Sequence, residues 1–188
     1  MQISDVVSNW KVYGLDDSVK ASKYPMAVDL DALDSEITPT TLKLAQSKAG
    51  SGEDNFLNGV LVQFDLTFSV KAWVEMEPYH FMDFVSSQST MHRIARMDIA
   101  KQCNEYVCDN VIQTVRDLCY VYNDNPTADK YLRLLYNVPV GFRLTARMTT
   151  NYRQLKTIYH QRKNHRLPEW RVFCKWIETL PQSEFITG

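Results

Sequence analysis

Residues 147–178 read RMTTNYRQLKTIYHQRKNHRLPEWRVFCKWIE, and this stretch carries most of the structural information in the chain. Thr150 and Asn151 suit a helix start, because their side-chain oxygens accept bonds from unpaired first-turn N–H groups. Leu155, Ile158 and Tyr159 follow at helical spacing. Arg153, Lys156, Arg162, Lys163, His165 and Arg166 crowd the same segment. Pro168 opens a second helix, with Glu169 in its first turn facing the positive end of the helix dipole. Trp170, Phe173, Ile177 and Leu180 form an apolar stripe, and Pro181 ends it. The spacing thus predicts a cationic helix and turn set against an aromatic helix. Guanidinium groups held beside a packed wall suit a phosphate or an ionised base, which arginine meets with paired N–H donors. The alternative is a solvated basic face, which contributes little to stability.

Further out, Val60, Val62, Phe64, Leu66, Phe68 and Val70 alternate with more polar residues, which predicts a half-buried, antiparallel strand. A flexible polar loop, residues 50–56, leads into it. Before that loop a helix is expected from Thr38-Pro39, with Leu42, Ala45 and Ala49 on one face and Gly50 as its stop. Residues 28–37 read as an acidic loop or short helix, and residues 1–14 as a first strand. Residues 98–122 read as one long helix, ended by Asn123-Asp124-Asn125-Pro126, after which Thr127 caps another. No repeat, linker or low-complexity tract interrupts the chain, so a single domain over residues 1–188 is expected.

The formal net charge is −1 over 188 residues, which excludes polyanion binding by bulk electrostatics. The charge is uneven, however. Asp29, Asp31, Asp34 and Glu36 make the first third acidic, and the segment after Arg143 is basic. That distribution argues for a localised anion site and against a nucleic-acid coat. A nucleic-acid binder using Tyr152, Tyr159 and Trp170 as stacking partners lacks a basic stripe elsewhere. Cys103, Cys108, Cys119 and Cys174 form no C-x-x-C pair and have no histidine at zinc-ligand spacing, so no metal site is expected. They read as reduced, mostly buried thiols of a cytoplasmic protein, the first three in the long helix. No signal peptide opens the sequence and no apolar run approaches membrane-spanning length, so no membrane partner is expected.

The same residues resemble the flavin-dependent thymidylate synthases. In that family an Asn-x-Arg is followed, nine residues after its arginine, by a second arginine closing a Leu-Arg pair. Asn151-Tyr152-Arg153 is similar to the first part and Gln161-Arg162 to the second. Val138-Pro139 resembles a Leu-Pro in the family. The family's Ala-Gln-x-Glu is replaced by Leu167-Pro168-Glu169-Trp170. Ala21-Ser22-Lys23-Tyr24 resembles a segment whose serine touches the flavin. Ser51 and Glu53 stand nearest to a Thr/Ser and a Glu of the family's glycine-rich flavin loop. The family's Arg-His-Arg-x-x-Ser falls on Met82, Asp83, Phe84 and Ser87, so only the serine survives. Ser87, Gln88, Ser89 and Arg93 stand where the family binds the phosphate of deoxyuridylate.

The resemblance implies an α/β (α+β) fold with a central antiparallel or mixed sheet and long helices, assembled as a homotetramer with shared sites. It implies an enzyme that transfers one carbon to a deoxyuridine monophosphate, using FAD, reduced folate and NADPH. Ser22, Ser51, Glu53, Asn151 and Arg153 would contact the FAD. Ser87, Gln88, Ser89 and Arg93 would hold the pyrimidine deoxynucleotide, and Arg162 would be both a substrate contact and the catalytic residue. The loss of the Arg-His-Arg motif motivates an alternative: a non-catalytic pyrimidine-nucleotide-binding protein on the same fold. Arg153 and Arg162, nine residues apart, would point to opposite sides of one helix and so serve different sites.

Overall fold

The computed structural model describes residues 1–48 and 50–188. Four strands, β1 (Val7–Tyr13), β2 (Leu61–Ser69), β3 (Asp83–Ser87) and β4 (Arg143–Asn151), form one sheet in the order β1-β2-β4-β3. β1 and β2 run antiparallel. Val62, Phe64, Leu66 and Phe68 are fully buried, while Gln63, Asp65 and Thr67 between them are not. The fold is therefore α+β, as the resemblance implies.

The β1–β2 register shifts between Ser8 and Lys11. There Asn9 adopts a φ of 49°, a left-handed conformation that asparagine tolerates better than most residues. Its Nδ2 donates to Asp65 Oδ2 at 2.6 Å. Arg147 on β4 donates to the Asn9 carbonyl at 2.6 Å and to Asp65 Oδ1 at 3.2 Å. The irregularity is thus pinned by polar contacts from two neighbouring strands.

The helices are α1 (Leu15–Ser22), α2 (Pro39–Ala45), α3 (Val70–Met76), α4 (Thr90–Arg93), α5 (Ile99–Gln102), α6 (Asp109–Asp124), α7 (Ala128–Tyr136), α8 (Tyr152–Arg162), α9 (Pro168–Ile177) and α10 (Glu184–Thr187). The expected caps are present. Thr38, Thr127 and Asn151 accept from the N–H groups of Thr41, Lys130 and Gln154 at 3.1, 3.3 and 2.8 Å. Residues 28–37 form a loop.

Three local expectations are corrected. The helix from Pro39 ends at Ala45, not at Gly50; Ala49, expected on its face, lies outside the described residues. β2 stops at Ser69, whose hydroxyl accepts from the Ala72 N–H at 3.3 Å and so starts α3 at Val70. The single helix over 98–122 is two, α5 and α6. Between them Cys103 forms a β-bridge with Phe142, and the Asn104 N–H donates to the Gly141 carbonyl at 3.0 Å. These long-range bonds take the backbone groups a continuous helix would need.

The chain divides into two compact units. The first comprises Met1–Leu66, Tyr79–Val85 and Arg147–Gly188. Its centre is aromatic: Phe64 lies 4.7 Å from Trp176 and 5.7 Å from Phe173, ring centre to ring centre. Trp170, Phe173 and Ile177 of the predicted stripe are fully buried, and Leu180 nearly so. The buried Tyr152 hydroxyl donates to the Pro181 carbonyl at 2.5 Å. Gly14 is required where it stands: its φ is 69°, and a Cβ there would lie 2.7 Å from the Gly59 carbonyl oxygen.

The second unit comprises Thr67–Pro78 and Ser86–Ala146. Ile94, Ile99, Cys103, Val115, Cys119, Leu134 and Phe142 form its core. Three of the four cysteines are buried and Cys108 is exposed. Burial pushes the Cys174 thiol up to about 12, and also raises Cys103 and Cys119. Thiolate is the reactive form. A colorimetric thiol titration of the native protein should therefore show one fast thiol, Cys108, and three more only on unfolding. Two or more fast thiols would contradict this packing.

Candidate functional site

The polar site of the first unit is built along α8. At its start the Asn151 Oδ1 caps the helix, accepting from the Gln154 N–H. Two positions on, the Arg153 Nε donates to Asp54 Oδ1 at 3.1 Å. One turn further, the Lys156 ammonium donates to Asp54 Oδ2 at 2.9 Å and to the carbonyls of Ala45 and Ser47 at 2.7 and 2.6 Å. An ammonium has three hydrogens, so Lys156 is fully satisfied. Asp54 is 1% exposed and Lys156 6%. The carboxylate thus ties the loop around residue 54 to the face of α8, and the Lys156 ammonium ties both to the carbonyl end of α2.

Beside this cluster lies a cavity of about 600 Å³, within the roughly 300–1,000 Å³ typical of small-molecule sites. Lys48, Asn151, Arg153, Gln154, His160 and Phe81 are among its walls. Burial first, then the Lys163 and Lys156 charges, lower the His160 pKa. Its imidazole therefore enters as a neutral donor and acceptor at pH 7. The donor set of Lys48, Arg153 and the side-chain amides of Asn151 and Gln154 suits an anionic, hydrogen-bonding ligand. It fits the phosphate and polar ring edge of a nucleotide cofactor such as FAD.

At the other end of α8, Arg162 is half-buried against aromatic rings. Its Nε donates to the Tyr79 hydroxyl at 2.7 Å, and that hydroxyl donates to Gln161 Oε1 at 2.8 Å. The guanidinium carbon lies 5.4 Å from the Tyr79 ring centre and 5.0 Å from that of Trp170. Contacts of this kind attract a cation to the ring faces and fix the guanidinium plane. The contacts named above for Arg153 and for Arg162 involve different residues.

The other sequence-predicted residues lie as follows. The Ser22 hydroxyl bonds back to the Val19 carbonyl at 2.6 Å. The Ser51 hydroxyl donates to Ser47 Oγ at 3.2 Å and accepts from the Glu53 N–H at 3.3 Å. Of the five predicted flavin contacts, Asn151 and Arg153 line the cavity. Ser87, Gln88, Ser89 and Arg93 belong to the second unit. There Gln88 is committed to β4: its N–H donates to the Thr145 carbonyl, and its Oε1 accepts from the Thr145 N–H, both at 2.9 Å. Ser87 ends β3, Ser89 precedes α4, and Arg93 is exposed at the end of α4. Met82 is buried, while Asp83 and Phe84 are exposed. Tyr152 and Trp170, considered as stacking partners for a nucleic acid, are fully buried and offer no platform.

Sequence reasoning missed Asp54, Tyr79 and Phe81. Asp54 sits in a polar loop that reads as solvated, and its partners are 99 and 102 residues away. No local signal marks it. Among the described residues, no group of three or more His, Cys, Asp or Glu side chains could hold a metal, and no helix is long and apolar enough to cross a membrane.

Neither a family model nor a curated protein sequence matches this chain. Solved structures do. The flavin-dependent thymidylate synthase ThyX of Helicobacter pylori, in complex with FAD and dUMP, superimposes with a TM-score of 0.75 at 14% identity, covering 100% of this chain and 97% of that one. The UMP/dUMP methylase PolB of Streptomyces cacaoi, bound with 5-Br UMP, superimposes with a TM-score of 0.61 at 11% identity, covering 92% of this chain and 88% of that one. At such identities the likeness is one of fold, and it extends over nearly the whole of each chain. The fold is the one the sequence resemblance implies.

Proposed function

We propose that this chain acts on a pyrimidine nucleotide of the deoxyuridine monophosphate type, transferring one carbon to its base as a divergent flavin-dependent thymidylate synthase-like enzyme. The observation that carries the reading is the Arg162 clamp, a guanidinium fixed in plane by Tyr79 and Trp170 at the end of α8. Two relatives in fold are crystallised with uridine nucleotides or their bromo analogues.

The chemistry assigned to the chain's own residues is electrostatic. Arg162 faces the uracil and stabilises negative charge as the ring carbon becomes nucleophilic. A fixed donor at a developing anion contributes about 3 kcal/mol to lowering a barrier. Within the second unit, Ser87, Ser89 and Arg93 would offer hydroxyls and a cation to a phosphate. Arg153, Lys48 and the Asn151 amide would hold a flavin in the α8 cavity. When bound, the flavin would supply the hydride, with reduced folate as carbon donor and NADPH as reductant. The different contacts named for Arg153 and Arg162 fit a homotetramer in which one helix serves two sites.

A second reading, nucleotide binding without turnover, is favoured by one observation. The positions matched to Arg-His-Arg hold a buried Met82 and an exposed Asp83 and Phe84, so none supplies a cation. The visible spectrum after incubation with FAD and dialysis separates the two. The enzyme reading expects a retained flavin band that dUMP perturbs. No flavin, but a melting temperature raised by dUMP, would establish the binding protein instead. Neither response would leave the likeness as fold alone and overturn both.

A further inference from the structure

Phe81 is held in a conformation it does not favour. Its φ is 58°, in the left-handed region where a bulky side chain is an outlier. The residue is 67% exposed, so burial does not compensate. Two neighbours hold it there. The Thr150 hydroxyl, itself buried, donates to the Phe81 carbonyl at 2.7 Å, and Met82 anchors the next residue in the core at 5% exposure. Backbone strain of this kind concentrates at ligand clamps, where surrounding structure over-determines it. Phe81 also forms part of the wall of the α8 cavity, whose other walls include Asn151, Arg153, Gln154 and Lys48.

We propose that the Phe81 ring is a stacking platform for the planar heterocycle of a nucleotide bound in the α8 cavity. The donors of α8 and Lys48 take the phosphate and polar edges, and Phe81 takes the ring face. The assignment rests on the reading of this cavity as a nucleotide site. It also gives the strained segment a purpose. Where Met82, Asp83 and Phe84 offer no cation to hold a cofactor, the residue just before them offers an aromatic face, and stacking needs no charge. The ligand class is a flavin or a pyrimidine nucleotide, both planar and both carrying phosphate.

Three probes distinguish the contributions: FMN and dUMP, which have a ring, and ribose 5-phosphate, which has only the sugar phosphate. Affinities are measured by calorimetry for the full chain and for Phe81→Gly, Phe81→Leu and Phe81→Trp. The glycine relieves the strain, so that variant is expected to melt no lower than the parent, which guards against misfolding as a cause. Loss of the ring should weaken the heterocyclic probe roughly ten-fold. Ribose 5-phosphate should be unaffected, and Phe81→Trp should restore affinity. Whichever of FMN and dUMP responds identifies the heterocycle. Unchanged binding of both in Phe81→Gly and Phe81→Leu overturns the platform while leaving the cavity reading intact. An equal loss for all three probes also overturns it, because the ring would then only shape the wall. No binding of any probe by the parent protein overturns the cavity reading and the platform with it.

Discussion

Replacing Asp54 by alanine is expected to destabilise the protein by about 3–5 kcal/mol, the cost of removing one partner from a buried ion pair. The Asp54 side chain is 2% exposed and Lys156's is 7% exposed. Without the carboxylate, the Lys156 ammonium stays buried with only the Ala45 and Ser47 carbonyls against it. Arg153 contributes less, because a third of its side chain is exposed and water screens its charge. Urea unfolding at pH 7 measures the loss directly, and the melting temperature should fall by roughly 10 °C. Asp54→Asn keeps the shape and an acceptor oxygen but not the charge, so it should lose nearly as much. Lys156→Met in the Asp54→Asn background should recover part of the loss, since the uncompensated charge leaves with the lysine. A loss of about 1 kcal/mol or less for Asp54→Ala would place the residue in solvent, at the level of a surface pair. It would also remove the link between the loop around residue 54 and α8.

How much of this was legible in the sequence depends on whether a signal is local. The α8–α9 stretch was readable because Asn151, Pro168 and the Trp170–Ile177 stripe act within a turn or two of themselves. The alternation of β2 was equally plain. β4 escaped, although Leu144, Ala146, Met148 and Thr150 alternate with Arg143, Thr145, Arg147 and Thr149. Short and polar side chains on that alternation blur the hydrophobic contrast on which a strand is recognised. The break between α5 and α6 was invisible for a different reason: the bonds that cause it come from residues 141 and 142, about forty positions away. The site divides in the same way. Arg153 and Arg162 stood out by type and spacing. Asp54, Tyr79 and Phe81, which hold or complement them, are single residues made significant only by folding.

Arg162→Ala is expected to lower turnover by about 10²–10³-fold in a thymidylate synthase assay, the usual effect of removing one donor aimed at a developing anion. Orientation matters here as well as charge. Arg162 lies over the faces of Tyr79 and Trp170 and donates through Nε, so its plane is set before any nucleotide arrives. Arg162→Lys keeps the charge but places a point ammonium where a planar fork stood, so it should recover only part of the rate. Tyr79→Phe tests the orientation alone. It retains the ring and the cation–π contact but removes the hydroxyl that accepts from Nε. A drop of about ten-fold in kcat, with nucleotide affinity nearly unchanged, would show that the hydroxyl sets geometry for the reaction, not binding. Stability must be measured alongside, because the Tyr79 hydroxyl also bonds Gln161 at 2.8 Å. If Arg162→Ala folds and keeps full activity, the catalytic role fails, and the clamp is a structural packing of α8 against α9. If activity is absent in the parent while dUMP still binds, the same variant should weaken that binding, and Arg162 is then the base-recognition residue of a protein that holds the nucleotide without transforming it.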